Sequence, residues 1–236
     1  MVEIGPGLGS LTVALAATGA DVVAVEFDRA LVPALEEAVG GIPNVRVLQA
    51  DAMRVPWREV VAEGPAAMVS NLPYNVAVPV LIRMLEEAPS VDRFLVMVQR
   101  EVGERLAAGV GDPAYGAVSV KVAYFAEART VRRVPADVFW PAPSIESIVV
   151  RLRRRPASSV AVTRGALFTL IDAGFAERRK RMTNALRRLG ADASSAAELM
   201  RAAALRGTAR AEEIDLAGFG RLAQGVVDAG LVGEGG

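Results

Sequence analysis

The residues Asn71-Leu72-Pro73-Tyr74 form the stretch of this chain whose types and spacing bear most directly on chemistry. They follow the apolar run 66–69, which has the composition of a buried strand. Such a tetrapeptide offers an amide oxygen, a backbone carbonyl stiffened by proline and an aromatic face, which together can hold a planar base and its exocyclic amine. An amine held in this way can attack a methyl donor. The alternative interpretation is an ordinary Asn/Pro turn with a surface tyrosine.

A glycine-rich segment, Glu3-Ile4-Gly5-Pro6-Gly7-Leu8-Gly9, lies where the first predicted strand passes into the first predicted helix. Glycine at such a turn lets the backbone approach a ligand without a Cβ atom in the way. The segment alone is weakly specific, because it could also hold the pyrophosphate of a dinucleotide. A strict dinucleotide fingerprint, however, needs glycine at the position that Ser10 occupies.

Two further acidic residues stand at the ends of the next two predicted strands. Glu26 ends the second strand, where its carboxylate can accept hydrogen bonds from the ribose hydroxyls of an adenosyl group. Asp51, which is followed by Ala52, comes after the third strand and is placed to accept from an adenine amine. Either acid alone could be a helix cap or a surface charge. Their occurrence at successive strand ends favours a ligand site.

These residues depend on strands and helices that alternate through the first half of the chain. This rhythm is typical of a parallel sheet with helices on both faces, so we predict an α/β fold of the Rossmann-like type. The predicted strands are 2–4, 21–26, 45–49, 66–70 and 94–98, and the predicted helices are 10–18, 29–39 and 78–87.

The second half predicts an antiparallel addition to this sheet and then a helical region. Helical patterns over 100–108 and 115–126 precede two β-rich runs, 130–134 and 145–152, joined by a turn with Pro141 and Pro143. The arginine-rich stretch ending at Arg155 and the serines after it indicate a domain boundary. We therefore expect a ligand-binding domain over 1–155 and a small all-helical domain over 156–236.

Composition narrows the classes of function. The chain has 236 residues and contains neither Cys nor His, which excludes a disulfide scaffold and a general base of the histidine type, and no transition-metal site is expected. No membrane span or signal peptide is evident, so we expect a cytoplasmic protein. The net charge is zero, but residues 100–188 hold 17 Lys and Arg against 8 Asp and Glu. This excess suggests a polyanion-binding surface, or a scatter of solvated arginines.

The ordered set of motifs resembles the class I S-adenosylmethionine-dependent methyltransferases, and with Asn-Leu-Pro-Tyr it resembles the KsgA-type ribosomal RNA small subunit adenine N6-dimethyltransferases. The resemblance covers essentially the whole chain and is specific. It continues through Gln99-Arg100-Glu101-Val102, Ala114-Tyr115-Gly116, Phe139-Trp140-Pro141-Ala142-Pro143, Val149-Val150-Arg151-Leu152 and Phe175-Ala176-Glu177-Arg178-Arg179-Lys180.

This resemblance implies methyl transfer from S-adenosyl-L-methionine to N6 of two adjacent adenines in the terminal hairpin loop of small-subunit ribosomal RNA. It implies that the Asn71 side-chain oxygen and the Leu72 carbonyl accept from the amine, and that Tyr74 stacks on the flipped base with Phe139 on its other face. The expected residues of the catalytic motif are Asn71, Leu72, Pro73, Tyr74 and Phe139, and those of the donor site are Glu3, Gly5, Gly7, Glu26, Asp51, Ala52 and Asn71.

For the RNA we expect a basic helix to contact phosphates, although a solvated helix face would have the same sequence. Loop RNA is the expected target, since stacked bases in a duplex cannot enter such a pocket. The expected partner is small-subunit RNA within an assembling 30S particle, bound by a monomer without metal or membrane. The candidate RNA-binding residues are Arg153, Arg154, Arg155, Arg178, Arg179, Lys180, Arg181 and Arg187.

One departure from the family pattern concerns the amino terminus. The family carries a segment with Gln-Asn-Phe-Leu before the first strand, which closes over the donor, whereas this chain begins within that strand. We therefore expect weaker donor binding by the chain as it stands.

Three rival functions share some of these features. Erythromycin-resistance methyltransferases act on large-subunit RNA with a similar core, although the runs 139–143 and 175–180 favour the small-subunit group. A non-catalytic RNA-binding assembly factor is the second rival. A nicotinamide-dependent enzyme is the third, but such a function assigns no role to the residues Asn71 to Tyr74.

Overall fold

A computed structural model describes residues 1–61, 66–140, 144–156 and 160–233. The chain forms two compact units. The first, the sheet unit, comprises Met1–Ala107 and Ala126–Arg155, and the second, the helical unit, comprises Ala108–Phe125 and Pro156–Gly236.

The sheet unit contains a seven-stranded sheet in the order β3-β2-β1-β4-β5-β7-β6. The first five strands of the sequence are parallel, and β7 is antiparallel to both β5 and β6. The predicted α/β class and the antiparallel edge hairpin are confirmed; the turn at Pro141 and Pro143 lies outside the described residues. The strands are β1 Val2–Ile4, β2 Val22–Glu26, β3 Val45–Gln49, β4 Ala66–Asn71, β5 Val91–Gln99, β6 Ala126–Val134 and β7 Ser147–Arg154.

Helices of the sheet unit follow the strands in the order that the βαβ rhythm predicts. In the fourth of them the buried residues Val80, Leu81, Met84 and Leu85 recur at helical spacing, so one face is apolar and packs inward. The fifth lies so close to the sheet that a Cβ atom on Gly103 would clash with Ile148 Cγ2. The helices are α1 Ser10–Ala16, α2 Val32–Val39, α3 Trp57–Val60, α4 Ala77–Glu87 and α5 Arg100–Ala107.

The helical unit is built around a single apolar core that includes Leu167, Leu170 and Phe219. No helix in the described ranges is long and apolar enough to cross a membrane. The helices are α6 Ala117–Phe125, α7 Arg164–Phe175, α8 Met182–Arg188, α9 Ala193–Ala202 and α10 Leu216–Asp228.

The helical unit also includes residues 108–125, which the sequence analysis placed in the first domain. Tyr115 and Val120 are buried in the helical core. The Tyr115 hydroxyl donates to the Ile214 carbonyl at 2.9 Å, and burial, with a smaller effect of Asp215, raises the pKa of Tyr115 to about 12. The assignment of residues 108–125 to the first domain is corrected, because strand and helix patterns do not show against which core a helix packs.

Candidate active site

The glycine segment and the Asn71–Tyr74 motif meet at the carboxyl edge of the parallel strands. Strands β1 and β4 are neighbours, and the Ile4 N–H donates to Ser70 Oγ at 2.9 Å in the buried interior. A Cβ atom placed on Gly5 would stand 3.1 Å from both Cδ and Cγ of Pro73. The residues predicted for the donor and for the acceptor therefore lie side by side at one edge of the sheet.

Gly5 and Gly7 share a backbone conformation that favours glycine but differ in their surroundings. Both have positive φ angles, 70° and 58°, which residues with a Cβ atom rarely adopt. A Cβ atom on Gly5 would crowd Pro73, whereas a Cβ atom on Gly7 would meet no heavy atom within 4 Å. The open space at Gly7 leaves room for the predicted adenosyl group to approach the backbone.

Glu3 lies beneath this loop. It is 1% exposed, and its carboxylate accepts a hydrogen bond of 2.6 Å from the buried Thr12 hydroxyl in α1. Burial raises the pKa of Glu3, and the nearby Glu26 carboxylate raises it further, while the Thr12 hydrogen bond acts in the opposite direction. This placement favours a role in holding the loop against α1.

Glu26 and Asp51 stand at the ends of the adjacent strands β2 and β3, as predicted. The Glu26 carboxylate accepts from the N–H groups of Gly7 and Asp28 at 3.1 and 2.8 Å. Each of its oxygens keeps a lone pair for a further donor such as a ribose hydroxyl. Asp51 accepts from the Met53 N–H at 2.9 Å, and its side chain is partly exposed. The acids and the open glycine segment therefore fit an adenosyl group.

Ala52 has a different environment from the acid that precedes it. It is only 8% exposed, and its carbonyl accepts from the indole N–H of the fully buried Trp57 at 3.1 Å. This bond holds the turn after β3 and so fixes the direction in which Asp51 projects.

Two polar groups of the acceptor motif have no hydrogen-bond partner among the described residues. Asn71 ends β4 and is exposed, while Leu72 is buried and its N–H donates to the Met97 carbonyl at 3.0 Å. Within the described part of the chain, no hydrogen bond reaches the Asn71 side chain or the Leu72 carbonyl. Tyr74 is 38% exposed, and its hydroxyl lies 3.2 Å from Ser147 Oγ. The motif thus presents the Asn71 and Leu72 oxygens as free acceptors, together with a Tyr74 ring whose hydroxyl is close to Ser147.

Phe139 belongs to the connection between β6 and β7. The connection leaves β6 at Val134 and enters β7 at Ser147. These two residues pair with each other, and Ser147 also pairs with Gln99 at the end of β5. Both ends of the connection therefore lie at the same sheet edge as Asn71. Phe139 is partly buried and follows a short 3₁₀ helix, Ala136–Val138. The topology brings Phe139 to the correct edge of the sheet, and its stacking role stays a prediction.

Arg154 was expected to bind RNA, and the structure corrects this prediction. Its guanidinium donates to the carbonyls of Val91, Leu85, Met84 and Ala88 at 2.8 to 3.4 Å and so binds the carboxyl end of α4. Because successive residues of a strand point to opposite faces, its neighbour Arg153 is exposed instead, and Arg155 is exposed beyond the strand.

The expected basic helix is also corrected. Residues 178–181, here named the basic turn, lie between α7, which ends at Phe175, and α8, which begins at Met182. Within the turn Arg178 is paired with Glu212 at 2.7 Å and donates to the Pro113 carbonyl at 2.8 Å. Arg179, Lys180, Arg181 and Arg187 are exposed, and no ion pair involves them within the described residues.

Sequence reasoning missed three hydroxyl residues that support the site, namely Thr12, Ser70 and Ser147. All three are at most 2% exposed and contact Glu3, Ile4 and Tyr74, respectively. The available signal was a hydroxyl residue within an apolar run, which predicts a buried polar group that needs a partner. Nothing in the sequence identifies that partner.

Comparisons with known proteins agree with this geometry. The family model for ribosomal RNA adenine dimethylase matches residues 1–222. The ribosomal RNA small subunit methyltransferase A of Acidothermus cellulolyticus is 45% identical over 228 residues, covering 94% of this chain and 78% of that protein. The protein of the same name from Thermobifida fusca is 44% identical over 229 residues, covering 95% and 79%.

Two solved structures share the fold. A dimethyladenosine transferase from Plasmodium falciparum has a TM-score of 0.80 at 21% identity, covering 97% of this chain and 90% of its own. The 23S ribosomal RNA methyltransferase ErmE has a TM-score of 0.68 at 24% identity, covering 95% and 89%. At these identities the likeness concerns the fold. The family match over nearly the whole length is decisive, and the chain belongs to the ribosomal RNA adenine dimethylase family.

Proposed function

We propose that this protein transfers methyl groups from S-adenosyl-L-methionine to N6 of two adjacent adenines in the terminal hairpin loop of small-subunit ribosomal RNA. The observation that carries the proposal is the close approach of Pro73 to Gly5, where a Cβ atom would have no room, which brings the glycine segment and the Asn-Leu-Pro-Tyr motif together. Family membership and the names of the curated relatives support the same activity.

The donor side uses the glycine segment and the two strand-end acids. When bound, S-adenosylmethionine supplies the methyl group already activated by its sulfonium charge. Gly5 and Gly7 leave room for its close approach, Glu26 accepts from ribose hydroxyls, and Asp51 accepts from the adenine amine. Glu3 and Ala52 hold these groups in place through Thr12 and Trp57.

The acceptor side orients an exocyclic amine. The Asn71 amide oxygen and the Leu72 carbonyl accept from the amine hydrogens, which favours a pyramidal nitrogen whose lone pair is free to react. Tyr74 and Phe139 stack on the two faces of the flipped base. Positioning and electrostatic stabilisation supply the catalysis, so this arrangement needs no histidine.

RNA binding involves those of the candidate basic residues that are exposed and that, within the described residues, have no ion pair and no hydrogen bond from the side chain to a carbonyl. These are Arg153, Arg155, Arg179, Lys180, Arg181 and Arg187. Their charge suits the phosphates of a loop or single strand. The substrate is the RNA of an assembling 30S particle in the cytoplasm, bound by a monomer.

Substitution of Asn71 tests the catalytic assignment. We expect Asn71→Ala to lower kcat about a thousandfold while the Kd for RNA stays nearly constant, since one positioned acceptor is lost and no phosphate contact changes. Methyl incorporation into small-subunit RNA and RNA binding are measured on the same preparation. Asn75→Ala is the matched control, because Asn75 is an exposed asparagine in the adjoining turn. Equal losses of kcat and RNA affinity in Asn71→Ala would contradict the assignment.

The rival functions are separated by two further measurements. Primer extension on small- and large-subunit RNA after methylation locates the modified adenines, and stops on large-subunit RNA alone would favour the erythromycin-resistance type. Calorimetry with S-adenosylmethionine tests the non-catalytic alternative, which predicts RNA binding without donor binding.

A further inference from the structure

Ser147 is a buried hydroxyl residue at the start of β7. It is 0% exposed, and its backbone pairs with Gln99 of β5 on one side and Val134 of β6 on the other. A side chain on a strand that is held from both sides has little freedom to move. Ser147 Oγ is therefore a fixed point in the sheet.

The hydroxyl of Tyr74 lies 3.2 Å from this fixed point. In the described residues it is the partner found for Ser147 Oγ, and buried hydroxyl groups need such a partner. Tyr74 itself belongs to the turn before α4 and is 38% exposed, so neither a strand nor a helix holds it in place. Among the described residues, the hydrogen bond to Ser147 is the polar contact that restricts the direction of its ring.

We propose that Ser147 is a positioning residue that holds the ring of Tyr74 in the orientation needed to stack on the target adenine. The inference rests on the proposed function and adds a residue to it. A tyrosine side chain has two main torsions, and a hydrogen bond at the far end of the ring restricts both before the base arrives. The loss of side-chain entropy that stacking requires has thus already occurred in the free protein, before RNA binds.

The length of the bond sets the expected size of the effect. A distance of 3.2 Å between two neutral hydroxyl groups is longer than usual, so the bond is a weak one. We expect Ser147→Ala to lower kcat/KM for RNA about threefold, which lies toward the lower end of the effect of losing one hydrogen bond. Stacking is read separately from the fluorescence of 2-aminopurine at the target position, which is quenched on the ring in the unaltered protein and less quenched in Ser147→Ala.

A double-mutant cycle identifies the hydrogen bond as the cause. Tyr74→Phe keeps the ring and removes its hydroxyl, so it should match Ser147→Ala in kcat/KM and in quenching. The double variant should be no worse than either single one. Ser147→Thr keeps a hydroxyl group at the same position and should restore most of the quenching lost in Ser147→Ala.

Tyr115→Phe is the matched control for removal of a tyrosine hydroxyl. Its hydroxyl also has a partner, the Ile214 carbonyl, but it lies in the core of the helical unit. This variant should lower thermal stability and leave kcat/KM and quenching unchanged.

The outcomes separate the inference from the proposed function. If the unaltered protein methylates small-subunit RNA but Ser147→Ala retains full kcat/KM and full quenching, the positioning role is wrong and the function stands. Additive losses in the double variant would also overturn the role. If the unaltered protein does not methylate that RNA, the proposed function itself fails.

Discussion

The carboxyl edge of the sheet and the basic turn use polar residues in opposite ways. At the sheet edge, hydrogen bonds made by the buried hydroxyl groups of Thr12, Ser70 and Ser147 hold the groups that surround the site. In the basic turn, residues 178–181 are exposed, and Arg178 alone among them is held by an ion pair within the described residues. The difference teaches that methyl transfer depends on groups held in fixed positions. Attraction to RNA phosphates needs only positive charges that are not neutralised by an ion pair within the protein.

The largest effect is expected from disturbing the contact at the sheet edge. In Gly5→Ala the new Cβ atom would meet Pro73 at 3.1 Å, and the residue would be strained at a φ of 70°. A displacement of the motif by a fraction of an ångström to one ångström should lower kcat about a hundredfold in a methyl-transfer assay.

Gly19→Ala is the matched control for this substitution. Gly19 has a φ of 81°, and a Cβ atom there would meet nothing within 4 Å. It therefore carries the same kind of backbone strain without moving Pro73, and kcat should remain unchanged. Similar losses in both variants would show that strain alone, and not the contact, is responsible.

A smaller effect, on stability alone, is expected at Arg154. Arg154→Met removes the guanidinium that binds three carbonyls at the end of α4 and the Val91 carbonyl of β5, which should lower the free energy of unfolding by about 2 kcal/mol in denaturant titrations. RNA affinity should not change. Arg153→Met, on the exposed face of the same strand, should alter the free energy of unfolding by less than about 0.5 kcal/mol. A loss of RNA affinity in Arg154→Met with unchanged stability would restore its earlier assignment.

Substitutions in the basic turn should lower RNA affinity and leave stability unchanged. The double variant Arg179→Gln/Lys180→Gln should weaken RNA binding and reduce the salt slope of log K by about 1.4, which corresponds to two contacts with single-stranded phosphates. Thermal stability should be unchanged, because both residues are exposed. The control Arg201→Gln/Arg206→Gln removes two charges that are paired with Glu198 and Glu213. An unchanged salt slope in the first variant would exclude the basic turn from the RNA interface.

The smallest effect concerns the pH dependence of stability. Burial raises the pKa of Glu3, so between its ordinary pKa and the raised one the folded state holds more protons than the unfolded state. Stability from this residue therefore falls as the pH rises through that window, and Glu3→Gln should flatten this part of the profile in thermal unfolding.

Glu127 provides the control of opposite sign. Its hydrogen bond with Arg129 lowers the pKa of this exposed carboxylate, so its contribution is present above the ordinary pKa and is lost as the pH falls. Glu127→Gln should remove a slope that rises with pH. If Glu3→Gln left the profile unchanged, the Glu3 carboxylate would not be desolvated.

The sequence was sufficient for most of the fold because the pattern is local. The predicted strand 45–49 matches β3, and strand 2–4 matches β1, since their apolar runs are short and clearly bounded. The helix expected over 178–181 was wrong, because the exposed basic residues carry no apolar face and α7 ends at Phe175. The segment 108–125 was assigned to the wrong unit because the partners of Tyr115 lie about a hundred residues away in sequence.

The sequence by itself determined the α/β class, the order of the glycine segment and strand-end acids, and the family, because these follow from residue types and short-range spacing. Only the tertiary structure decided that Gly5 contacts Pro73, that Ser147 meets Tyr74, and that Arg154 binds a helix end while Arg153 remains exposed. The physical reason is that hydrogen bonds and burial are settled between residues brought together by packing. The presence of a charged or hydroxyl residue in the sequence does not show with which partner it will form an ion pair or a hydrogen bond.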